Sequence, residues 1–419
     1  MKTNYRPKTL WPFALLFVLS FVLHFAFLGN TNKIIFDEFH FANYAEYYLT
    51  SDYYFDIHPP LGKLMLAGFL KLAGENSDTA NPPIFKLRFL PALFGTFFVL
   101  IISWLAFLIT RSKNTALIAG FLTLFDNALL VQSRLALLDI FLLSFSALSL
   151  CFFFTFLKQK GPGKKQYAFL LLAGVFLGLA ISIKWTGLAT AGIIFTVLAS
   201  KFFGNREKIK KTSISFAIIL FFALTAYTLP FAAHFNILTN FDRQNFPMEQ
   251  FSYGKEELQN SRNFFQKFET LNAQMLTANL GSADQNPDSS SWFKWPFNQK
   301  PLRYDVNTYF RGNTALWLLV AAFVVITLIK LALKKEFLGD KNIYLVLLLG
   351  YFANLLPFAL IERTTFMYHY LPALTFGIIL AAYWINLFRE KAKSVFAIVF
   401  VIIIINFLVF LPHSLGLVL

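Results

Sequence analysis

Residues 89–110 read FLPALFGTFFVLIISWLAFLIT, twenty-two consecutive positions without a charged side chain. A run of about 20 apolar residues, rising 1.5 Å each, is the length of a helix that crosses a hydrocarbon core of ~30 Å. Working outward, the same test finds ten further runs, at about 10–29, 115–133, 136–157, 167–183, 186–202, 213–234, 314–333, 342–361, 366–388 and 395–413. An all-α polytopic membrane protein with about eleven spans is therefore expected. Composition agrees: 57% of the chain is hydrophobic, 14% is charged, mean hydropathy is +0.57, and Phe fills 54 of 419 positions. Soluble domains sit near ~45–50% apolar and ~25% charged, and disordered chains are poor in aromatics. Both classes are excluded.

The net charge of +15 is sided. Twenty of the 37 Lys and Arg fall in short segments: the N-terminus, 111–113, 158–165, 201–211, 334–341 and 389–393. By the positive-inside rule these are cytoplasmic, so the charge calls for no nucleic-acid partner. The two long hydrophilic segments, 30–88 and 235–313, then face outward. Loops of that length inside a compact protein are usually functional. The first span follows Met-Lys-Thr-Asn-Tyr-Arg-Pro-Lys without a small-residue cleavage site, which reads as an uncleaved anchor with a cytoplasmic N-terminus. The expected organisation is a membrane module over 1–234 carrying the external loop 30–88, a second external loop over 235–313, and a four-helix module over 314–419. No fixed-period repeat of the kind transporters show is evident.

One cysteine, Cys151, and six histidines without an i, i+4 pair argue against a Cys- or helix-based metal site. In FDEFHFANYAEYY (36–48), Asp37 and Glu38 follow the first span. Such a pair either caps a helix N-terminus or supplies a general base to an acceptor hydroxyl. Amphipathic helices are expected over Glu38–Leu49 and Leu61–Leu72, lying along the outer interface. Between them His58 precedes Pro59 and Pro60, which stiffen the loop. Arg134 and Asp139 flank a turn, Lys184 separates two apolar runs, and Arg363 and His369 lie in ERTTFMYHYLP (362–372). Charges at membrane depth are functional candidates by default, with interfacial snorkelling as the bland alternative. Three cations on one outer face, Arg134, Lys184 and Arg363, suit a lipid phosphate. Asp126, in TLFDNALL, is expected inside the bundle, paired with a cation such as Arg134. Trp292, Trp295 and Trp317 fit an interfacial belt. No Gly-rich nucleotide motif follows a strand, so a lipid-linked donor fits better than a nucleotide sugar.

FDEFHFANYAEYY (36–48), DIHPPLGKLM (56–65), DNALLVQSRLALLD (126–139), SIKWTGL (182–188) and RTTFMYHYLPAL (363–374) together resemble the protein O-mannosyltransferases, in the family's order and over nearly the whole chain. The resemblance implies the GT-C glycosyltransferase fold. It also implies transfer of mannose, with inversion, from a polyprenyl-phosphate carrier to Ser or Thr hydroxyls of exported proteins. Carried over by motif, Asp37 would be the base and Glu38 would position the acceptor, with His58, Pro59 and Pro60 shaping that loop. Arg134, Lys184, Arg363, His369 and Tyr370 would attend the carrier phosphate. No cofactor is implied, although the related aminoarabinose transferases leave a divalent metal open, and eukaryotic members pair as dimers. The segment 235–313 is too short for the β-trefoil MIR domain of eukaryotic members, which points to a bacterial plasma membrane with a periplasmic or exterior site. SSSWFKWPFNQKP (289–301) is similar to a family stretch that follows His-Pro, replaced here by Gln285-Asn286-Pro287. The alternatives are transfer to a lipid or polysaccharide and, from a different class, a membrane transporter.

Overall fold

The computed structural model describes residues 10–75, 83–159, 164–200, 206–244, 246–281 and 286–417. The N-terminal basic segment 1–9, residues 160–163 and 201–205 of the basic loops, and Gln285 lie outside the described residues. Sixteen α-helices follow in order: α1 (Trp11–Phe25), α2 (Glu38–Thr50), α3 (Leu61–Leu72), α4 (Ile84–Thr110), α5 (Lys113–Leu124), α6 (Asn127–Arg134), α7 (Asp139–Lys158) and α8 (Lys164–Ile183). They continue as α9 (Leu188–Ala199), α10 (Arg206–Ile237), α11 (Lys255–Gln259), α12 (Phe264–Leu280), α13 (Thr314–Ala332), α14 (Lys341–Leu355), α15 (Leu371–Phe388) and α16 (Lys393–Leu415).

Among the described residues, eight helices are long and apolar enough to cross a bilayer: α4, α7, α8, α10, α13, α14, α15 and α16. The run expected at 115–133 is α5 plus α6, bent by 64°. The bend has a local cause. Asp126 breaks the ladder and caps α6, its carboxylate accepting the Leu129 N–H at 2.9 Å. The runs expected at 10–29 and 186–202 are the shorter helices α1 and Trp185–Ala199. Every expected run is therefore helical, and the protein is an integral membrane protein of all-α architecture.

At the centre stands α15, almost wholly buried against α13, α14 and α5, whereas α16 leaves most of its apolar surface outward. A helix apolar all round is a core or lipid-facing element, and these two are the extremes. On the other side α7 and α10 both pack on α8, which brings Gly178 so near α10 that a Cβ there would collide with the Ala223 carbonyl.

At one end of the bundle, α2, α3, α11, α12 and a small antiparallel hairpin, β1 (Leu302–Arg303) and β2 (Tyr309–Phe310), cover the helix ends. The two long hydrophilic segments are bound to each other there. Tyr53 N–H donates to the Asn240 carbonyl and Phe55 N–H to the Phe251 carbonyl, each at 2.8 Å. The side chains of Tyr53 and Phe55 enter a separate apolar cluster with Phe231, Phe235, Leu258, Leu271 and Met275. Two of the three expected belt tryptophans are instead core residues. Trp295 and Trp317 are fully buried because each indole N–H has an internal acceptor, Ser290 and Asp126 respectively.

Candidate active site

The expected α2 begins at Glu38, with Asp37 at its N-cap. Phe36 holds φ at 52°, a left-handed conformation uncommon for a bulky side chain. Its ring stacks on Tyr304 at 4.1 Å, which helps hold that conformation. The turn separates the fates of the two adjacent carboxylates. The Asp37 carboxylate makes no capping hydrogen bond and has no hydrogen-bond or ion-pair partner among the described residues. Glu38 points into protein.

Asp37 lines a cleft of ~380 Å³ with His40, Phe41 and Tyr44 of α2. The positions are i, i+3, i+4 and i+7, one face of a helix. Phe55, Asp56, Ile57 and His58 supply a second wall, Lys184 a third, and Arg363, Thr364, Phe366, Tyr368 and His369 a fourth. Gln250, Ala278, Gly281 and Asn286 of the second long segment close it. Burial pushes the Asp37 carboxyl up to about 6, against the opposing charge of Lys184 and with Asp139 and Asp56 adding to it. Burial likewise drives His58 well below the usual imidazole range, and the Lys184, Lys63, Arg363 and His369 charges press it further.

The two cations in the cleft differ. Lys184 donates to Asp139 at 2.8 Å and lies over the Tyr368 ring at 5.5 Å. Asp139 is itself held by Gln132 at 2.8 Å, and Gln132 accepts the Tyr304 hydroxyl. Arg363 has no carboxylate or hydrogen-bond partner among the described residues, and burial lowers its pKa. The free positive charge of the cleft is therefore that of Arg363. His369 is oriented by its Nδ1 contact with the Phe366 carbonyl at 2.9 Å and by stacking with Tyr368.

Of the residues expected at the site, Asp37, His58, Lys184, Arg363 and His369 come together, with Pro59 and Pro60 buried beside them at the start of α3. Three do not. Glu38 is fully buried, bound by both Arg88 Nε (2.7 Å) and Nη2 (2.6 Å), and accepts the Ile35 and Ala136 N–H groups. Its four acceptor sites are filled, so it fastens α2 to α4 and the 135–138 turn and has no capacity to hold an acceptor. Arg134 does not reach the cleft: its Nη1 donates to the Leu23 and His24 carbonyls at 2.6 and 2.8 Å, closing the end of α1. Tyr370 is buried with its hydroxyl 3.0 Å from that of Tyr351. Among the described residues Asp126 pairs with no cation; the Trp317 indole (2.7 Å), Asn313 N–H (3.2 Å) and Leu129 N–H fill its carboxylate.

Several site residues carried no sequence signal of their own. Asp56 lines the cleft and is gripped by the buried Lys63, which also donates to the His58 carbonyl. Both sit inside DIHPPLGK, and their i, i+7 spacing across a Pro-Pro loop gave no hint of contact. His40 and Tyr44 were legible as the helix face shared with Asp37. Among the described residues no three His, Cys, Asp or Glu side chains converge as a metal site.

With this geometry in view, known proteins supply the context. The family model for dolichyl-phosphate-mannose-protein mannosyltransferase matches residues 14–239. The chain belongs to that family. The model for the C-terminal four-helix region of protein O-mannosyltransferase matches residues 264–419. Among curated mannosyltransferases of the family, protein O-mannosyltransferase 1 of Drosophila melanogaster is 31% identical over 190 residues, which is 43% of this chain and 21% of that one. Dolichyl-phosphate-mannose–protein mannosyltransferase 4 of Schizosaccharomyces pombe is 32% identical over 207 residues, 45% of this chain and 26% of that one. The chain thus spans only a fifth to a quarter of the curated relatives it matches. The mannosyltransferase fold extends further than those identities. The Saccharomyces cerevisiae Pmt1-Pmt2 complex bound to the sugar donor superposes with a TM-score of 0.86 at 18% identity, covering 99% of this chain and 91% of that one. ArnT from Cupriavidus metallidurans bound to undecaprenyl phosphate gives 0.61 at 14% identity, covering 96% and 77%. The architecture is GT-C.

Proposed function

We propose that the protein transfers mannose, with inversion, from a polyprenyl-phosphate-mannose donor to Ser or Thr hydroxyls of protein acceptors. The carrying observation is a carboxylate, Asp37, in one cleft with a guanidinium, Arg363, neither with a partner among the described residues. The acceptor hydroxyl oxygen attacks the anomeric carbon while Asp37 takes its proton. The bond from that carbon to the phosphate oxygen breaks, and its electron pair leaves with the polyprenyl phosphate. Arg363 and Lys184 stabilise the negative charge that grows on the leaving oxygen, and His369 borders the same pocket. A carboxyl whose pKa is about 6 suits a base working near neutrality, because it is ionised yet more basic than an ordinary carboxylate.

The basic short segments support an orientation with the N-terminus cytoplasmic and the cleft on the outer side of the membrane, periplasmic or exterior in a bacterium. The same reading divides the chain into a catalytic membrane module over 1–234, an outer loop region over 235–313 that walls the cleft, and a four-helix module over 314–419.

Transfer of labelled mannose from polyprenyl-phosphate-mannose to a Ser/Thr peptide, in proteoliposomes of the purified protein, tests the reading. Peptide labelling is expected. Labelling of lipid or polysaccharide alone would replace the protein acceptor with the aminoarabinose-transferase type of reaction.

A further inference from the structure

We infer that His40 is a direct acceptor contact, a second point of attachment that orients the hydroxyl-bearing residue over Asp37. This rests on the acceptor being a peptide, as read above. His40 lies one turn beyond Asp37 on the same face of α2, and both line the cleft. Side chains at i and i+3 of a helix have Cβ atoms about 5–6 Å apart. That spacing lets one bound residue touch both side chains. A group at His40 can therefore reach the acceptor backbone while Asp37 holds the hydroxyl.

The imidazole is fixed for such a task. Phe251, fully buried, meets the ring edge-on at 5.6 Å, and the adjacent Phe39 of α2 also meets it edge-on at 5.6 Å. Phe251 is fastened to the first loop by its carbonyl, which accepts from Phe55 N–H. The ring of an α2 residue is thus held against the second long segment. His40 Nδ1 is nevertheless sheltered from solvent and has no hydrogen-bond partner among the described residues. Buried polar nitrogens are almost always paired in folded proteins, and the fold itself offers this one nothing. Asp37 and His40 share the α2 wall of the cleft, whereas Lys184 and Arg363 line other walls. His40 therefore stands beside the base, on the wall that the acceptor hydroxyl must approach. Burial lowers its pKa, so at neutral pH it is an uncharged ring with one donor and one acceptor nitrogen, the complement of a peptide group.

The test separates polar contact from packing. His40→Gln keeps a donor and an acceptor and loses the ring; His40→Phe keeps the ring against Phe251 and loses both. Steady-state transfer is measured with donor and peptide varied independently, and peptide binding is measured by fluorescence anisotropy without donor. The expected result is a rise of tenfold or more in peptide KM and Kd for His40→Phe, partial recovery in His40→Gln, and an unchanged donor KM in both. The opposite order, with Phe near wild type and Gln impaired, would make His40 a packing residue and overturn the inference. Loss in both variants with unchanged peptide Kd and rescue by added imidazole would also overturn it, in favour of proton transfer. A wild type that labels only lipid fails at the functional reading; a wild type that labels peptide while His40→Phe binds it equally well fails at His40 alone.

Discussion

Lowering the pH tests the assignment of Asp37 most directly. With its pKa near 6, the carboxyl is about nine-tenths ionised at pH 7 and about one-tenth at pH 5. If the ionised form takes the acceptor proton, kcat/KM for the peptide falls about tenfold over that range, with the acid limb centred near 6 and not near the ordinary 3.8. The causes of the shift give two controls. Asp56 raises the Asp37 pKa, so Asp56→Asn moves the limb to lower pH. Lys184 opposes the rise, so Lys184→Met moves it to higher pH. The assay is labelled-mannose transfer in proteoliposomes between pH 4.5 and 8, with donor saturating and peptide below KM. Asp37→Asn is expected to lose about 10²–10⁴-fold. Its stability moves the other way. A carboxyl raised from 3.8 to about 6 by burial destabilises the folded state at neutral pH by up to about 3 kcal/mol. The penalty is absent below the unfolded pKa and grows as pH rises through the folded one. Asp37→Asn therefore melts higher than wild type at pH 7, with the difference vanishing near pH 4. A flat profile down to pH 5, or an acid limb that neither neighbour moves, would refute Asp37 as the base.

Removing Arg88 leaves Glu38 charged and buried without its partner, so Arg88→Met is expected to destabilise by about 3–5 kcal/mol, read as a lower melting temperature in detergent. Glu38→Ala is expected to melt lower as well, with peptide KM unchanged in whatever fraction stays folded. Arg134→Ala removes two hydrogen bonds from a charged donor to the end of α1, each worth about 1.5–3 kcal/mol; it should lower thermal stability while the donor KM stays near wild type. Arg363→Ala removes the free guanidinium of the cleft, and the donor KM is expected to rise about 10–100-fold on the same scale, with the melting temperature little changed.

The bundle was legible because membrane solvation acts on each segment separately. A helix that must bury its own backbone polar groups in hydrocarbon announces itself by length and apolarity, and each of the eleven runs is helical. The site was legible only in part. Lys184 and Arg363 could be singled out as charges at membrane depth, Asp37 as half of an acidic pair after the first span, and the α2 face bearing His40 follows from helical periodicity. The same two criteria also selected Arg134 and Glu38, which like Asp126 are held within the fold. Nothing local distinguishes them. Glu38 finds Arg88 fifty residues away, Arg134 finds two carbonyls more than a hundred residues back, and Asp126 finds Trp317 nearly two hundred residues on.

From its sequence alone, then, this protein's spans, the sidedness of its charge and the segments able to carry chemistry are determined, since hydropathy, net charge and helical period are sums over neighbours in the chain. Which of two adjacent carboxylates is left unpaired in the cleft and which one holds the fold was decided only by tertiary structure. Phe36, held at φ 52° in contact with Tyr304, leaves Asp37 facing the cleft and Glu38 bound to Arg88. A buried charge is structural once its hydrogen bonds are filled and reactive while they are not, and the partners that fill them are distant in sequence.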